Sequence, residues 1–108
     1  MKTPLVSLIV ISYNNKKDLN ECLTSLKNQD YENFEIVLVD NNSSDNSVEI
    51  AKGFKGIKII ENKKNEGFAK GNNLGIKNAF KNKKVKYIVS INPDTITKKS
   101  WLKELVSV

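Results

Sequence analysis

Three apolar runs in this chain each stop abruptly at a cluster of Asn, Asp or Ser, and that pattern narrows the folds open to it. Leu5 to Ile11 stops at Ser12-Tyr13-Asn14-Asn15, Ile36 to Val39 at Asp40-Asn41-Asn42-Ser43-Ser44-Asp45, and Tyr87 to Ile91 at Asn92-Pro93-Asp94-Thr95. Short continuous apolar runs bounded by turn residues read as buried parallel strands. In an open α/β sheet, ligands bind just beyond the carboxyl ends of the strands. A site is therefore expected in these clusters. They offer carboxylates and amides in place of a glycine-rich phosphate loop, which suits a ligand held by directed hydrogen bonds, and a metal.

The segments between the runs read as helices. Lys17 to Asn28 carries Leu19, Cys22, Leu23 and Leu26 on one stripe, with Asp18 and Glu21 near its start, where negative charge suits the helix dipole. Phe34 to Asp40 is the second strand. Ser44 or Asp45 can cap a helix that runs to Lys52 and ends at Gly53, with Val48, Ile50 and Ala51 as its apolar residues. Ile57 to Glu61 is a third strand, Asn62 to Gly67 a loop, Phe68 to Lys81 a third helix, Val85 to Ile91 a fourth strand, and Lys98 to Val108 a last helix. Strand and helix alternate, so the expected fold class is α/β: a parallel-stranded, Rossmann-like nucleotide-binding sheet with flanking helices, in a truncated or minimal version.

Composition sets the outer limits. At 108 residues, with 39% apolar and 28% charged residues, the chain is expected to form one small soluble domain, 1–108. No apolar stretch approaches the roughly 20 residues that span a bilayer, and no signal-peptide pattern is visible, so a cytoplasmic location is expected. The single cysteine, Cys22, allows no internal disulfide and reads as a buried apolar side chain. The absence of histidine removes Ser-His and Cys-His catalysis and the commonest metal ligand. The net charge is +6 and every basic residue is lysine. A solvated surface explains those lysines most simply, while a basic field would also draw nucleotide diphosphates or an anionic membrane surface. Without arginine and interleaved aromatics, nucleic acid is not an expected partner.

The candidate residues each have a bland reading beside the functional one. The turn after the first strand, Ser12 to Lys17, holds no glycine, and no P-loop occurs, which excludes ordinary dinucleotide and P-loop sites. Asp40 can accept from a base imide N–H or from ribose hydroxyls, or can start an Asx turn with Asn41 and Asn42. Asp45 is explained by helix capping. Asn92-Pro93-Asp94 offers two oxygen donors of the kind a hard divalent cation such as Mg²⁺ or Mn²⁺ takes, completed by phosphate and water, and is also a common turn sequence. Gly71 and Gly75 share one helix face, which calls for close approach of the backbone to the sheet or to a ligand. Lys70, Asn72 and Asn73 lie in the first turns of that helix, where N–H groups and the dipole favour anions.

Taken together, Val6 to Asn14, Glu35 to Asp45, Asn65 to Gly75 and Ile91 to Asp94 occur in an order and spacing that resembles the N-terminal half of family 2 glycosyltransferases of the GT-A fold, particularly their rhamnosyltransferase-like branch. The resemblance implies that Ser12, Tyr13 and Asn14 line a nucleotide pocket and that Asp40 accepts from the base. Asp45 and Asn42 would lie close by, and Lys70, Asn72 and Asn92 would contact the donor. Asp94 matches the last acidic residue of the family's metal-binding D-x-D motif, while Asn92 stands where many members have Asp. The expected donor is a nucleotide-diphosphate sugar (UDP-, dTDP- or GDP-linked), with a divalent metal, Mg or Mn. The expected acceptor is a carbohydrate or a lipid-linked molecule, and the reaction inverts the sugar. The expected location is cytoplasmic, including the inner face of the membrane. The family's catalytic base lies in its C-terminal half, and Glu104 reads here as an exposed helix residue. A non-catalytic nucleotide-binding or protein-interaction module is the alternative. Apolar surface around Trp101, Leu102, Leu105 and Val106 would favour a homo-oligomer.

Overall fold

Strand β1 (Leu5–Ser12) carries apolar residues at nearly every position, so it has no polar face to turn to water and takes the centre of the sheet. The computed structural model describes residues 3–107. In it β1 pairs in parallel with β2 (Phe34–Asp40) on one side and β4 (Val85–Ile91) on the other. β3 (Lys58–Glu61) adds beyond β2, giving the order β3-β2-β1-β4. The helices are α1 (Lys16–Lys27), α2 (Ser47–Lys52), α3 (Phe68–Ala79) and α4 (Trp101–Val106). The α/β expectation holds, with a sheet in which every pairing is parallel.

The two faces of the sheet bury alternate residues of the same strands. On one face Leu19, Cys22, Leu23 and Leu26 of α1, Ala51 of α2 and Leu102 of α4 pack on Val6, Leu8, Val10, Ile36 and Leu38. Each buried leucine there stabilises the fold by about 1.5–3 kcal/mol. On the other face α3 covers Ile9, Ile11, Val37 and Val39, with Leu74 and Ile76 against them. Here the choice left open for Gly71 and Gly75 is resolved in favour of the sheet. A Cβ at Gly75 would lie 2.6 Å from Ile9 Cγ2, and one at Gly71 would lie 3.1 Å from Ile11 Cγ2. Each glycine costs its helix about 1 kcal/mol relative to alanine, and the close contact with the sheet is what that sacrifice permits.

Several expectations shift. The run Tyr87 to Ile91 is not buried as a central strand would be. β4 is an edge strand, only Ile91 is buried, and Tyr87 is 54% exposed. α2 starts at Ser47, not beside Ser44, because residues 43–45 are tied to the β1–α1 loop; Gly53 does end it, but at an ordinary helical φ of −72°. α4 starts at Trp101, not Lys98. The Lys98 and Lys99 carbonyls accept from the Gln29 side chain and the Asp30 N–H, and the Trp101 N–H closes a turn on the Lys98 carbonyl at 3.0 Å, so a tied turn precedes the helix. Buried Gln29 also accepts from the Leu102 N–H, pinning α4 to the end of α1. Of the expected apolar surface, Leu102 is fully buried, Trp101 and Val106 are half-buried, and Leu105 is exposed. Val108 lies outside the described residues. Cys22 is buried as expected; burial, and then the nearby Asp94 charge, push its thiol up to about 11.

Candidate functional site

Parallel register brings the strand ends level. Ser12 stands opposite Asp40, and Asp40 opposite Glu61, so the loops after β1, β2 and β3 emerge side by side. The first two loops interlock. Asn14, held at a left-handed φ of 52°, donates its N–H to Ser43 Oγ at 2.8 Å. Its side-chain oxygen accepts from the N–H groups of Ser44, at 2.8 Å, and Asp45, at 3.3 Å. An asparagine suits this place because it tolerates positive φ better than other non-glycine residues and carries an acceptor short enough to bond locally.

The two carboxylates of this region do different work. Asp40 is 2% exposed and accepts from the Ser43 N–H at 2.8 Å and from Ser43 Oγ at 2.6 Å. The turn expected at Asp40 is therefore present, but it closes on Ser43. Asn42, exposed at φ 63°, carries the chain round so that Ser43 points back. A carboxylate has about four lone-pair sites, and Ser43 uses two of them. The N-cap of α2 is Asn46, with no side-chain cap bond, so Asp45 is not the cap expected of it; one residue earlier, it accepts from the Ser47 N–H at 3.0 Å and Ser47 Oγ at 2.5 Å, and also from the Lys16 N–H at 3.2 Å. Burial opposes its ionisation. The Ser47 hydroxyl, the Ser47 and Lys16 N–H groups and the Lys16 charge outweigh that, so its pKa lies below the ordinary carboxylate value. Ser12, buried beneath, has a hydroxyl oxygen with no hydrogen-bond partner among the described residues, and Tyr13 is 48% exposed.

The end of β4 is built otherwise. The Thr95 N–H donates to the Asn92 carbonyl at 3.1 Å, closing a turn with Pro93 at its corner. The turn reading of Asn-Pro-Asp is thus correct, and the turn presents Asn92 and Asp94 to solvent. Among the described residues Asp94 makes no ion pair. Asn92 and Asn72 meet at an open cavity of about 440 Å³ with Phe68, Ser90 and Trp101. The Asn72 side-chain oxygen is buried without a partner among the described residues. Lys70 points to Glu66 at 3.8 Å. No cluster of three or more Asp, Glu, Cys or His side chains occurs among the described residues. Asp94 beside the Asn92 amide is a sparse, exposed set of hard oxygen donors. It fits a Mg²⁺ or Mn²⁺ ion that takes its remaining ligands from phosphate and water. Glu104 is exposed, and bonds from Ser100 and then Lys98 hold its pKa below the usual carboxylate range.

The structure therefore gathers Ser12, Asn14, Asp40 and Asp45 into one interlocked group and Asn72 with Asn92 into another. Asp94, Lys70 and Asn42 stand exposed around them. Sequence reasoning does not single out Ser43, Ser47 or Asn41 as site residues. Ser43 and Ser47 are foreshadowed only by the density of small polar residues after β2. Asn41 is buried, and its partners lie 21 and 26 residues away, which leaves no local signature.

The sequence profile described as Glycosyl transferase family 2 matches residues 7–108. A glycosyltransferase of Haemophilus influenzae is 40% identical, the match covering 96% of this chain and 32% of that protein. Glycosyltransferase GlyG of Streptococcus pneumoniae is 35% identical over 94% of this chain and 34% of its own length. The chain thus spans about a third of the length of these relatives. Among solved structures, Staphylococcus aureus TarS in complex with UDP-GlcNAc superposes with a TM-score of 0.87 and 28% identity, over 95% of this chain and 30% of that one. The Pyrobaculum calidifontis mannosyltransferase PcManGT, bound to GDP-Man and Mn²⁺, has the same fold, with a TM-score of 0.76 and 22% identity over 88% of this chain and 29% of that one. The parallel sheet, the four segments that carry the resemblance and these matches agree: the chain belongs to glycosyl transferase family 2.

Proposed function

We propose that this chain supplies the donor-binding part of an inverting glycosyltransferase, which moves a sugar from a nucleotide diphosphate to an acceptor hydroxyl. The observation that carries the reading is the convergence of three sequence-distant segments. Ser12–Asn14, Asp40–Asp45 and Asn92–Asp94 follow three parallel strands and emerge at the same end of one sheet. TarS with UDP-GlcNAc and PcManGT with GDP-Man and Mn²⁺ support a nucleotide-sugar donor and a divalent metal.

In this reading the free lone pairs of Asp40 accept a ring N–H of the base, which uracil, thymine and guanine all offer. The bonds from Ser43 hold the carboxylate in place for that contact. Tyr13 flanks the base, with Asn42 and Asp45 at the pocket's rim. Asn72 and Asn92 face the sugar-diphosphate side, and Lys70 adds positive charge near the phosphates. Asp94, with Asn92, would hold a metal whose chemistry is Lewis-acid stabilisation of the departing diphosphate. A carboxylate must still take the acceptor's proton. Glu104 is committed to Ser100 and Lys98, so it is not that base. The second reading is a module that holds nucleotide without turnover. Donor hydrolysis or sugar transfer by this polypeptide would exclude it.

Cytoplasmic placement, a role in polysaccharide synthesis, a carbohydrate or lipid-linked acceptor and self-association belong to the same proposal. So does contact with the inner membrane face. The stretch from Gly67 to Pro93 carries Lys70, Lys77, Lys81, Lys83, Lys84 and Lys86 and no acidic residue, and Phe80 within it is 62% exposed. Such a patch would hold to anionic headgroups. No described helix is long and apolar enough to cross a membrane. The central test is titration of the folded protein with UDP, dTDP and GDP, with and without Mn²⁺. Binding of one of them, strengthened by the metal, is expected; binding of none would refute the reading.

A further inference from the structure

We infer that Asn41 is a positioning residue of the donor site, fixing the start of α3 against the ends of the first three strands; the inference rests on the donor-binding reading above. Asn41 is 2% exposed, and its backbone N–H and both ends of its side-chain amide each have a defined partner. Its backbone N–H donates to the Ser12 carbonyl at 2.8 Å, joining β2's end to β1's. Its side-chain oxygen accepts from Asn62 Nδ2 at 2.7 Å, just after β3, while the Asn62 N–H donates to the Asp40 carbonyl at 2.8 Å. Its Nδ2 donates to the Gly67 carbonyl at 3.1 Å. That same carbonyl accepts from the Gly71 N–H at 3.1 Å, within the first turn of α3. One amide therefore ties the β3–α3 loop and the first turn of α3 to the strand whose last residue is Asp40.

The neighbours are shaped to admit it. Gly67 sits at φ +87°, a conformation open to glycine. A Cβ at Gly71 would lie 3.0 Å from Asn41 Nδ2 and 3.5 Å from its oxygen, so a side chain there would press the amide out of place by a few tenths of an ångström. The residue must be Asn. One end has to donate to a carbonyl and the other to accept from an amide, and a carboxylate would put an acceptor against the Gly67 carbonyl. Of the α3 residues proposed to face the diphosphate and sugar, Lys70 lies within this anchored turn and Asn72 follows it directly. Their distance from Asp40 is set through Asn41.

The experiment compares Asn41→Asp with the unaltered protein in affinity for UDP and GDP and for the matching nucleosides, uridine and guanosine. Thermal unfolding and amide hydrogen exchange across residues 67–74 are followed alongside. A positioning role predicts that diphosphate affinity falls about tenfold, the size of one lost buried hydrogen bond, while nucleoside affinity changes less than threefold. Exchange should rise in residues 67–74 and not in β1 or β2. Equal losses for nucleoside and nucleotide, or no loss for either, would overturn it. Should Asn41→Asp fail to fold, Gly71→Ala displaces the amide by a few tenths of an ångström and should give a smaller loss of the same selectivity. Where both variants fold, their combination should lose no more than Asn41→Asp alone, because both act on one contact. If the unaltered protein binds none of UDP, dTDP and GDP, the donor reading itself fails and the positioning role falls with it, an outcome distinct from selective loss in the variant.

Discussion

The ends of β1 and β2 and the end of β4 carry the same kinds of residue, yet they are opposite in construction. At β1 and β2, Asp40 and Asn41 are buried and held in place by hydrogen bonds, and Asn14 and Asp45 are locked across two loops. At β4, Asn92 and Asp94 are exposed on a turn, and Asp94 has no ion-pair partner among the described residues. The cause is position in the sheet. β1 and β2 lie inside it and have neighbouring loops to bond with, whereas β4 is an edge strand with a neighbour on one side only. A group held rigid before the ligand arrives is suited to recognising a fixed shape such as a base. A group left open is suited to partners that arrive with the ligand, a phosphate and its cation.

Substitutions can break this contrast or sharpen it. The largest effect is expected from Asp40→Ala. It strands the half-buried Ser43 donors and should lower the free energy of unfolding by about 1–3 kcal/mol, read by urea denaturation. Asn14→Ala should cost about 1 kcal/mol by freeing the N–H groups of Ser44 and Asp45. Asn14→Gly should recover part of that through relief at positive φ, and a larger loss for Gly than for Ala would show that the backbone angle is not what matters. The pH dependence of Asp45 is smaller. Its folded pKa is depressed, so its contribution is complete above about pH 4 and is lost as pH falls through the lower folded value. Unfolding between about pH 5 and pH 3 should therefore show a steeper loss of stability in the unaltered protein than in Asp45→Asn. Last, Asp94→Ala should change stability by less than about 0.5 kcal/mol, since nothing in the fold depends on it. A cost as large as that of Asp40→Ala would erase the contrast between the two ends.

Much of this was legible in the sequence because the signals are local. The apolar runs and their Asn/Asp endings give β1 and β2 and the place of the site, and the leucine stripe gives α1. The Gly71–Gly75 spacing announces a close approach. What the sequence hides is long-range. An edge strand and a central strand can share one apolar run, so β4 looks as buried as β1. The starts of α2 and α4 are set by Asn14 and Gln29, which bond residues 30 and 73 positions away. Asn41 is one more polar residue in a polar cluster until the fold places Gly67 and Asn62 against it.

The division of labour between the two ends is tested most directly by a single set of titrations. UDP and GDP binding is measured with and without Mn²⁺ for the unaltered protein, Asp40→Ala and Asp94→Ala. Asp40→Ala should weaken binding about tenfold or more under both conditions, while Asp94→Ala should remove the gain from Mn²⁺ and leave metal-free binding within about twofold. An Asp94→Ala loss that persists without metal, or an Asp40→Ala loss seen only with it, would contradict that division.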